Sequence, residues 1–257
     1  MAFYDLSKSE RADRVTAIRK DIKQALLTQS LQKVHSYYAD QDTYIRKSAY
    51  LVTGRLYSQE PELSRVILEM LLALLFDQDF KVRQTVINTA GEIGKQHFEE
   101  VRTFFDIGLK DPHHSPRNAV IGSIKKMGEV NPKPVLGWAR AYLHDDDKEI
   151  RREICHGIEL RGRKNPEDIL PLLQELQHDR AARVRKTLVH VIGQIAYKKG
   201  CLIKVLTHLK GWENRPLVEA ALEEIIDVHD RYRNFAALTQ AEAIQLIDAH
   251  YPDWKRI

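Results

Sequence analysis

The sequence predicts an all-α protein, a right-handed α-α superhelix of about six to seven helical pairs with a period of about 34 residues. Three observations predict it. Five aspartates are each followed six residues later by an arginine: Asp40/Arg46, Asp77/Arg83, Asp111/Arg117, Asp145/Arg151 and Asp179/Arg185. The aspartates lie 37, 34, 34 and 34 residues apart, a spacing regular enough to mark an internal repeat. The segments between them place apolar residues at steps of three and four, the helical period. Hydrophobic residues make up 43% of the 257 positions, enough to bury a core and too many for wholesale disorder.

The elements follow in order. Residues 1–38 read as N-terminal cap helices, opened by Ser7-Lys8-Ser9-Glu10, which matches a capping box. Residues 39–200 hold five regular units, each an apolar helix, a polar turn carrying the Asp, and a second helix containing the Arg. The second unit shows Val82, Val86, Ala90 and Ile93, and the fourth Ile150, Ile154 and Ile158. In the fifth, the first helix is expected at 166–177, opening with Pro166, where helices tolerate proline. Its second helix is expected at 183–198, with Val184, Leu188, Val191, Ile192 and Ile195 on one stripe. Gly54, Gly91, Gly94, Gly128, Gly162, Gly193 and Ala196 recur after the arginines and would let neighbouring helices approach closely. Residues 201–257 form a degenerate repeat and cap: the period reaches Glu213 and Glu219, so the basic partner is lost, and Thr239 with Glu242 gives a second capping box. With no linker between these parts, 1–257 reads as one domain.

Composition narrows the function classes. The net charge is +4, mildly basic, and only clustering would make it a nucleic-acid footprint. Cys155 and Cys201 form no CxxC pair and imply no disulfide framework. The longest apolar stretch, 66–76, contains Glu69 and is too short to span a bilayer, and the N-terminal residues have no apolar signal core. A cytoplasmic protein without membrane contact is expected. No Gly-rich phosphate loop, nucleophile elbow or Cys/His dyad appears.

The repeated Asp and Arg allow two readings. The arginines could form a row of phosphate ligands. Alternatively the Asp opens the second helix, capping its N–H groups and complementing its dipole, while the Arg ties that turn to its neighbour. The Asp-x5-Arg unit, and the segments KVRQTVINTAGEIG and RVRKTLVHVIGQIA, resemble the HEAT repeats of the ARM/HEAT superfamily over roughly residues 30–200. That resemblance implies the second role, an Asp/Arg ladder along the array, and implies that the second helices line a concave binding surface.

Counting from each ladder arginine, places +1, +5, +9 and +12 share one helical face away from the apolar stripe. The fourth and fifth units present Arg152, His156, Leu160, Arg163 and Lys186, His190, Gln194, Tyr197 there, and the third presents Lys126. Lys126, Arg152, His156, Arg163, Lys186, His190 and Lys198 are thus the candidate nucleic-acid-binding residues, able to follow a phosphate backbone. His156 and His190, one period apart, would lie side by side. Two imidazoles suit a metal, but no third ligand is evident, so no metal and no cofactor are expected. The acids of 145–147 are explained by a helix start.

Segments 135–157 and 168–200 also resemble the bacterial HEAT-like DNA alkylpurine glycosylases of the AlkC and AlkD type. The resemblance implies a basic concave face for duplex DNA, with a carboxylate and aromatic residues for excision of alkylated bases. Trp138 stands where a family tryptophan precedes a basic helix, and Arg151, Arg152, Arg185 and Lys186 match basic pairs. Where the family carries its catalytic aspartate this chain has Arg117 or Asn118, so Glu153 and Glu159 are the substitute carboxylates. The expected function is a HEAT-repeat binding protein engaging duplex DNA, with alkylation repair as its setting; the alternatives are a glycosylase for alkylated purines and a protein–protein scaffold holding a peptide in the same groove.

Overall fold

The computed structural model describes residues 3–254. Among them there is no β-strand, and no helix is long and apolar enough to cross a membrane. The chain forms two compact units, residues 1–131 and 132–257.

The first unit holds α1 (Lys8–Thr28), α2 (Gln32–Tyr38), α3 (Thr43–Gln59), α4 (Ser64–Leu74), α5 (Phe80–Gly108) and α6 (His114–Val130). The predicted capping box opens α1, with Ser7 and Glu10 each bonding the other's backbone N–H. Helices α1, α3, α5 and α6 pack side by side. The expected separate helices of the second and third units are joined in α5, which bends at His97 (φ −123°, ψ 53°). Its first part closes one pair and its second part opens the next. Tyr38 is wholly buried and its hydroxyl bonds Thr53 at 3.1 Å and Thr89 at 2.9 Å, linking α2 to α3 and α5.

The second unit holds α7 (Pro132–Tyr142), α8 (Lys148–Gly157), α9 (Glu159–Gly162), α10 (Pro166–Gln174), α11 (Ala182–Ala196), α12 (Leu202–Leu209), α13 (Arg215–Arg231) and α14 (Gln240–His250). Helices α8, α11 and α13 are neighbours, with α10 against α12 and α12 against α14. The fifth pair lies within a few residues of its expected bounds. The fourth second helix does not run through: it breaks at Ile158 (φ −85°, ψ −8°) into α8 and α9. The last helices continue the packing although the Asp/Arg signal has gone. Asn214 caps α13, and Gln177 accepts from the N–H groups of Glu213 and Asn214.

All five Asp-x5-Arg pairs build one turn. The Nη1 groups of Arg46, Arg83, Arg117, Arg151 and Arg185 each donate to the carbonyl of their own aspartate at 2.5 to 2.7 Å and to the next carbonyl at 3.0 to 3.2 Å. Asp40, Asp77, Asp111, Asp145 and Asp179 each accept the N–H two residues on at 2.7 to 2.9 Å. The expectation that this Asp caps the helix is therefore corrected by two positions. The caps are Asp42, Asp79, His113 and Asp147, each taking the N–H two places further, while Ala181 opens α11 without a side-chain cap. An Asp that bonds the cap's own N–H forms an Asx-turn and fixes the entry into the helix.

Arg83 and Arg151 also grip the next turn. Arg83 meets Asp111 through two bonds of 2.7 and 3.0 Å, and Arg151 meets Asp179 through two of 2.6 and 3.0 Å. Both pairs are mostly buried, and the fork matches the carboxylate edge.

The ladder expected of every arginine is corrected at both ends. Arg46 does not reach Asp77. Its Nη2, the nitrogen that Arg83 and Arg151 give to the next carboxylate, turns back to Thr43 Oγ1 at 3.1 Å. The first interval is the long one, 37 residues rather than 34, so Arg46 stands 31 residues before that aspartate (77−46) where Arg83 stands 28 before its own (111−83). Asp77 is met instead by His35 of α2, at 2.9 Å. At the far end, among the described residues, Arg185 bonds the carbonyls of its own turn and meets no carboxylate of a next one; the period brings Glu213 where an aspartate would stand, and His178 faces that glutamate at 3.5 Å.

Candidate binding face of the second helices

In the first unit the face centres on Glu92 of α5. Lys126 comes within 3.8 Å of it, Lys95 pairs with it on the same helix, and the Lys126 ammonium lies 5.7 Å from the Tyr50 ring centre. The close approach of α3 depends on Gly54, where a Cβ would fall 2.7 Å from that of Glu92.

In the second unit the face is richer in carboxylates than the stripe predicted. Glu153 and Glu159 are 3% and 2% exposed. Arg152 bonds Glu149 at 2.9 Å and reaches Glu153 at 3.4 Å, and Arg183 comes to Glu149 at 3.0 Å. Glu159 receives Arg163 on Oε1 and stands 3.1 Å from His156 Nε2 through Oε2. Arg163 also donates to Gln194 at 2.8 Å. His190 faces Glu224 of α13 at 3.6 Å, and Arg231 faces the same carboxylate at 3.5 Å. Lys186 and Lys198 make no ion pair among the described residues; Lys198 sits 4.3 Å over the Tyr197 ring.

Of the predicted basic row, Lys126 lies on α6 of the first unit, while in the second Arg152 and His156 lie on α8, Arg163 just after α9, Lys186 and His190 on α11 and Lys198 just beyond it; Arg152, Arg163 and His190 are each matched by an acid. The place held by Gln194 and Tyr197 is covered: both are 4% exposed, and Tyr197 stacks on Tyr232 at 5.3 Å. Trp138 is 3% exposed and packs against Tyr142, so it belongs to the core. Cys155 is wholly buried, and burial, aided by the charges of Glu159 and Asp179, pushes its thiol far up, away from any nucleophilic role.

Glu224, Arg231 and Tyr232 lie outside the predicted face, because the Asp/Arg signal that frames it ends at Arg185. The apolar steps Leu217, Ala221, Leu222, Ile225 and Val228 carry the signal that α13 extends the face. Between α11 and α13 lies an open cleft of about 540 Å³. Val189, Leu217, Ala220 and Pro216 give it an apolar floor; Arg185, Lys186, His190, Glu224 and Arg231 stand around it.

The sequence matches no family model and no curated protein. Solved structures do resemble the fold. AlkD2 from Streptococcus mutans superposes with a TM-score of 0.55 at 17% identity, over 77% of this chain and 96% of that one. A chain of the Pds5–Scc1 complex gives 0.49 at 13%, over 91% of this chain and 37% of its own. A designed armadillo repeat protein gives 0.35 at 17%, over 76% and 100%. The likeness to AlkD2 shows the fold, an ARM/HEAT-like helical repeat.

Proposed function

We propose that the chain is a helical-repeat binding protein that holds an amphipathic helix with an acidic flank in the cleft between α11 and α13. The observation that carries this reading is the cleft itself, with an apolar floor and Arg185, Lys186 and Arg231 around it; Arg231 is paired with Glu224 and Asp227, so the charge left for a ligand comes chiefly from Lys186. Such a groove suits apolar anchors at i, i+3, i+4 and i+7 with acids alongside. The arginines nearer α8 are already neutralised, which reduces the gain from releasing counterions off a phosphate backbone.

Nucleic acid is the second reading. It is favoured by Lys186 and Lys198, which keep unmatched charge on and just after α11, and by the resemblance of 135–157 and 168–200 to DNA glycosylases. Base excision is less well supported, because Glu153 and Glu159 are buried and each already meets an arginine, which opposes their acting as the carboxylate of an excision step.

One titration separates the three. A labelled amphipathic peptide of Leu and Glu, and a labelled DNA duplex, are each added to the protein over a series of salt concentrations, with anisotropy as the readout. The peptide is expected to bind, and Lys186→Glu with Arg231→Glu to weaken it at least about tenfold, the worth of 1.4 kcal/mol. Duplex binding with a steep salt slope and no peptide binding would overturn this in favour of nucleic acid. Release of free base from an alkylated duplex would establish excision instead.

A further inference from the structure

The period places His156 and His190 in matching positions of consecutive second helices, and their rings meet edge to face at 6.1 Å between centres. The structure adds a third group that the helical stripe omitted. The break at Ile158 starts α9 at Glu159, and its carboxylate comes beneath both imidazoles. One ligand atom from each of His156, Glu159 and His190 lies within 4.8 Å of the other two. His156 Nε2 and Glu159 Oε2 are already 3.1 Å apart, close to the separation of two ligands on one tetrahedral zinc at about 2.0–2.1 Å from each.

From this geometry we propose that His156, Glu159 and His190 form a binding site for one divalent late-transition-metal ion, of which Zn²⁺ is the probe. Two neutral imidazoles and one carboxylate are a donor set of the kind such ions take, with a further position left open. The cation would take the place of the direct contact between His156 Nε2 and Glu159 Oε2. The supporting groups are in place. Arg163 holds Oε1 and anchors the carboxylate, while Oε2 faces His156 Nε2. Glu224 stands 3.6 Å from His190 Nδ1, an outer carboxylate of the kind that orients ligating histidines. Both imidazoles are about two-fifths exposed at the side chain, at 35% and 42%, so an ion can enter from solvent, while the buried Glu159 limits exchange.

Arg163 is also a competing cation beside the ligand. That gives the proposal a second, opposite-signed expectation: removing its charge should tighten metal binding.

The test is calorimetric titration of the untagged full chain with Zn²⁺ at neutral pH, with Co²⁺ absorption in the visible as an independent report of ligand geometry. Wild type is expected to bind one equivalent above any background, with a low-symmetry Co²⁺ spectrum and a raised Tm. His156→Ala and His190→Ala, both at half-exposed positions, should each weaken that event at least about tenfold and abolish the Tm rise, while Arg163→Gln should strengthen it several-fold. Glu159→Gln should behave like the histidine variants, and circular dichroism shows whether it folds. The proposal is overturned if wild type binds no Zn²⁺. It is equally overturned if the double His156→Ala/His190→Ala variant binds as wild type does, which would assign the metal to others of the 11 histidines.

Discussion

Arg151 uses its guanidinium in two directions. Nη1 closes its own turn on the carbonyls of Asp145 and Asp146, and the Nε and Nη2 edge holds Asp179. Lysine carries the same charge but a single ammonium, so it cannot make both sets. Arg151→Lys is expected to cost about 2 kcal/mol, read as a lower urea midpoint at unchanged slope, since Asp179 would stay buried with its fork partner gone. A loss below about 0.5 kcal/mol would mean that the turn holds itself. That each Asp/Arg pair builds a turn was legible at the residue scale; that the arginine first closes its own turn was not, since the resemblance implies only a tie to the neighbouring one. Which arginines reach beyond it was not: Arg46 shares the motif, yet its second nitrogen goes to Thr43. Nor was the placement of the cap. Asp at the turn and Asp two places later are both acceptable openings for a helix, and only the backbone geometry of the Asx-turn decides between them.

Among the elements, Gly193 of α11 sets how closely α13 approaches. A Cβ there would lie 2.6 Å from Glu224 Cγ, on the flank of the cleft. Gly193→Ala should push Glu224 aside and part the two helices, costing about 1–3 kcal/mol despite alanine's better helix propensity. The same change should weaken peptide binding; unchanged stability together with unchanged binding would show that Glu224 swings away freely. The break between α8 and α9 illustrates what periodicity hides. Ile150, Ile154 and Ile158 keep helical steps straight through it, so the sequence reads as one helix, and Glu159 falls off the stripe chosen for the binding face. The bend at His97 is hidden for the opposite reason: helical residues flank it on both sides, and two expected helices become one.

At the scale of the whole molecule, each unit contains a mostly buried Arg–Asp pair. Burial opposes the ionisation of Asp111 and Asp179, but hydrogen bonds and charge from Arg83 and Arg151, with the N–H groups of His113 and Ala181, outweigh it and hold both carboxyls below the usual range. A carboxylate whose pKa is lower folded than unfolded stabilises the fold above the unfolded value of about 3.9, and that contribution disappears as pH falls through the folded value. Both units should therefore lose stability in the same window below about pH 4. Urea midpoints measured down that range should fall less steeply in an Arg83→Lys/Arg151→Lys variant, and an equal slope would assign the acid sensitivity to other carboxylates. The period of 34 made the architecture legible from five residue pairs. The character of the binding face was less so: whether Arg152, Arg163 and His190 are free cations depends on carboxylates whose alignment with them is a matter of side-chain rotamer and of the break in the fourth repeat.

The Asx-turns also divide the connections of each unit into two kinds. Where Asp, cap and arginine share their bonds across seven residues, an added residue would separate the carbonyls that one guanidinium must reach together. The connection after α11 has no guanidinium of this kind among the described residues; at Gly200, with φ +73° and open space where a Cβ would stand, the turn is closed by the Cys201 N–H on the Lys198 carbonyl. New length, whether acquired by descent or grafted as a reporter, is therefore admitted after α11 and refused before it.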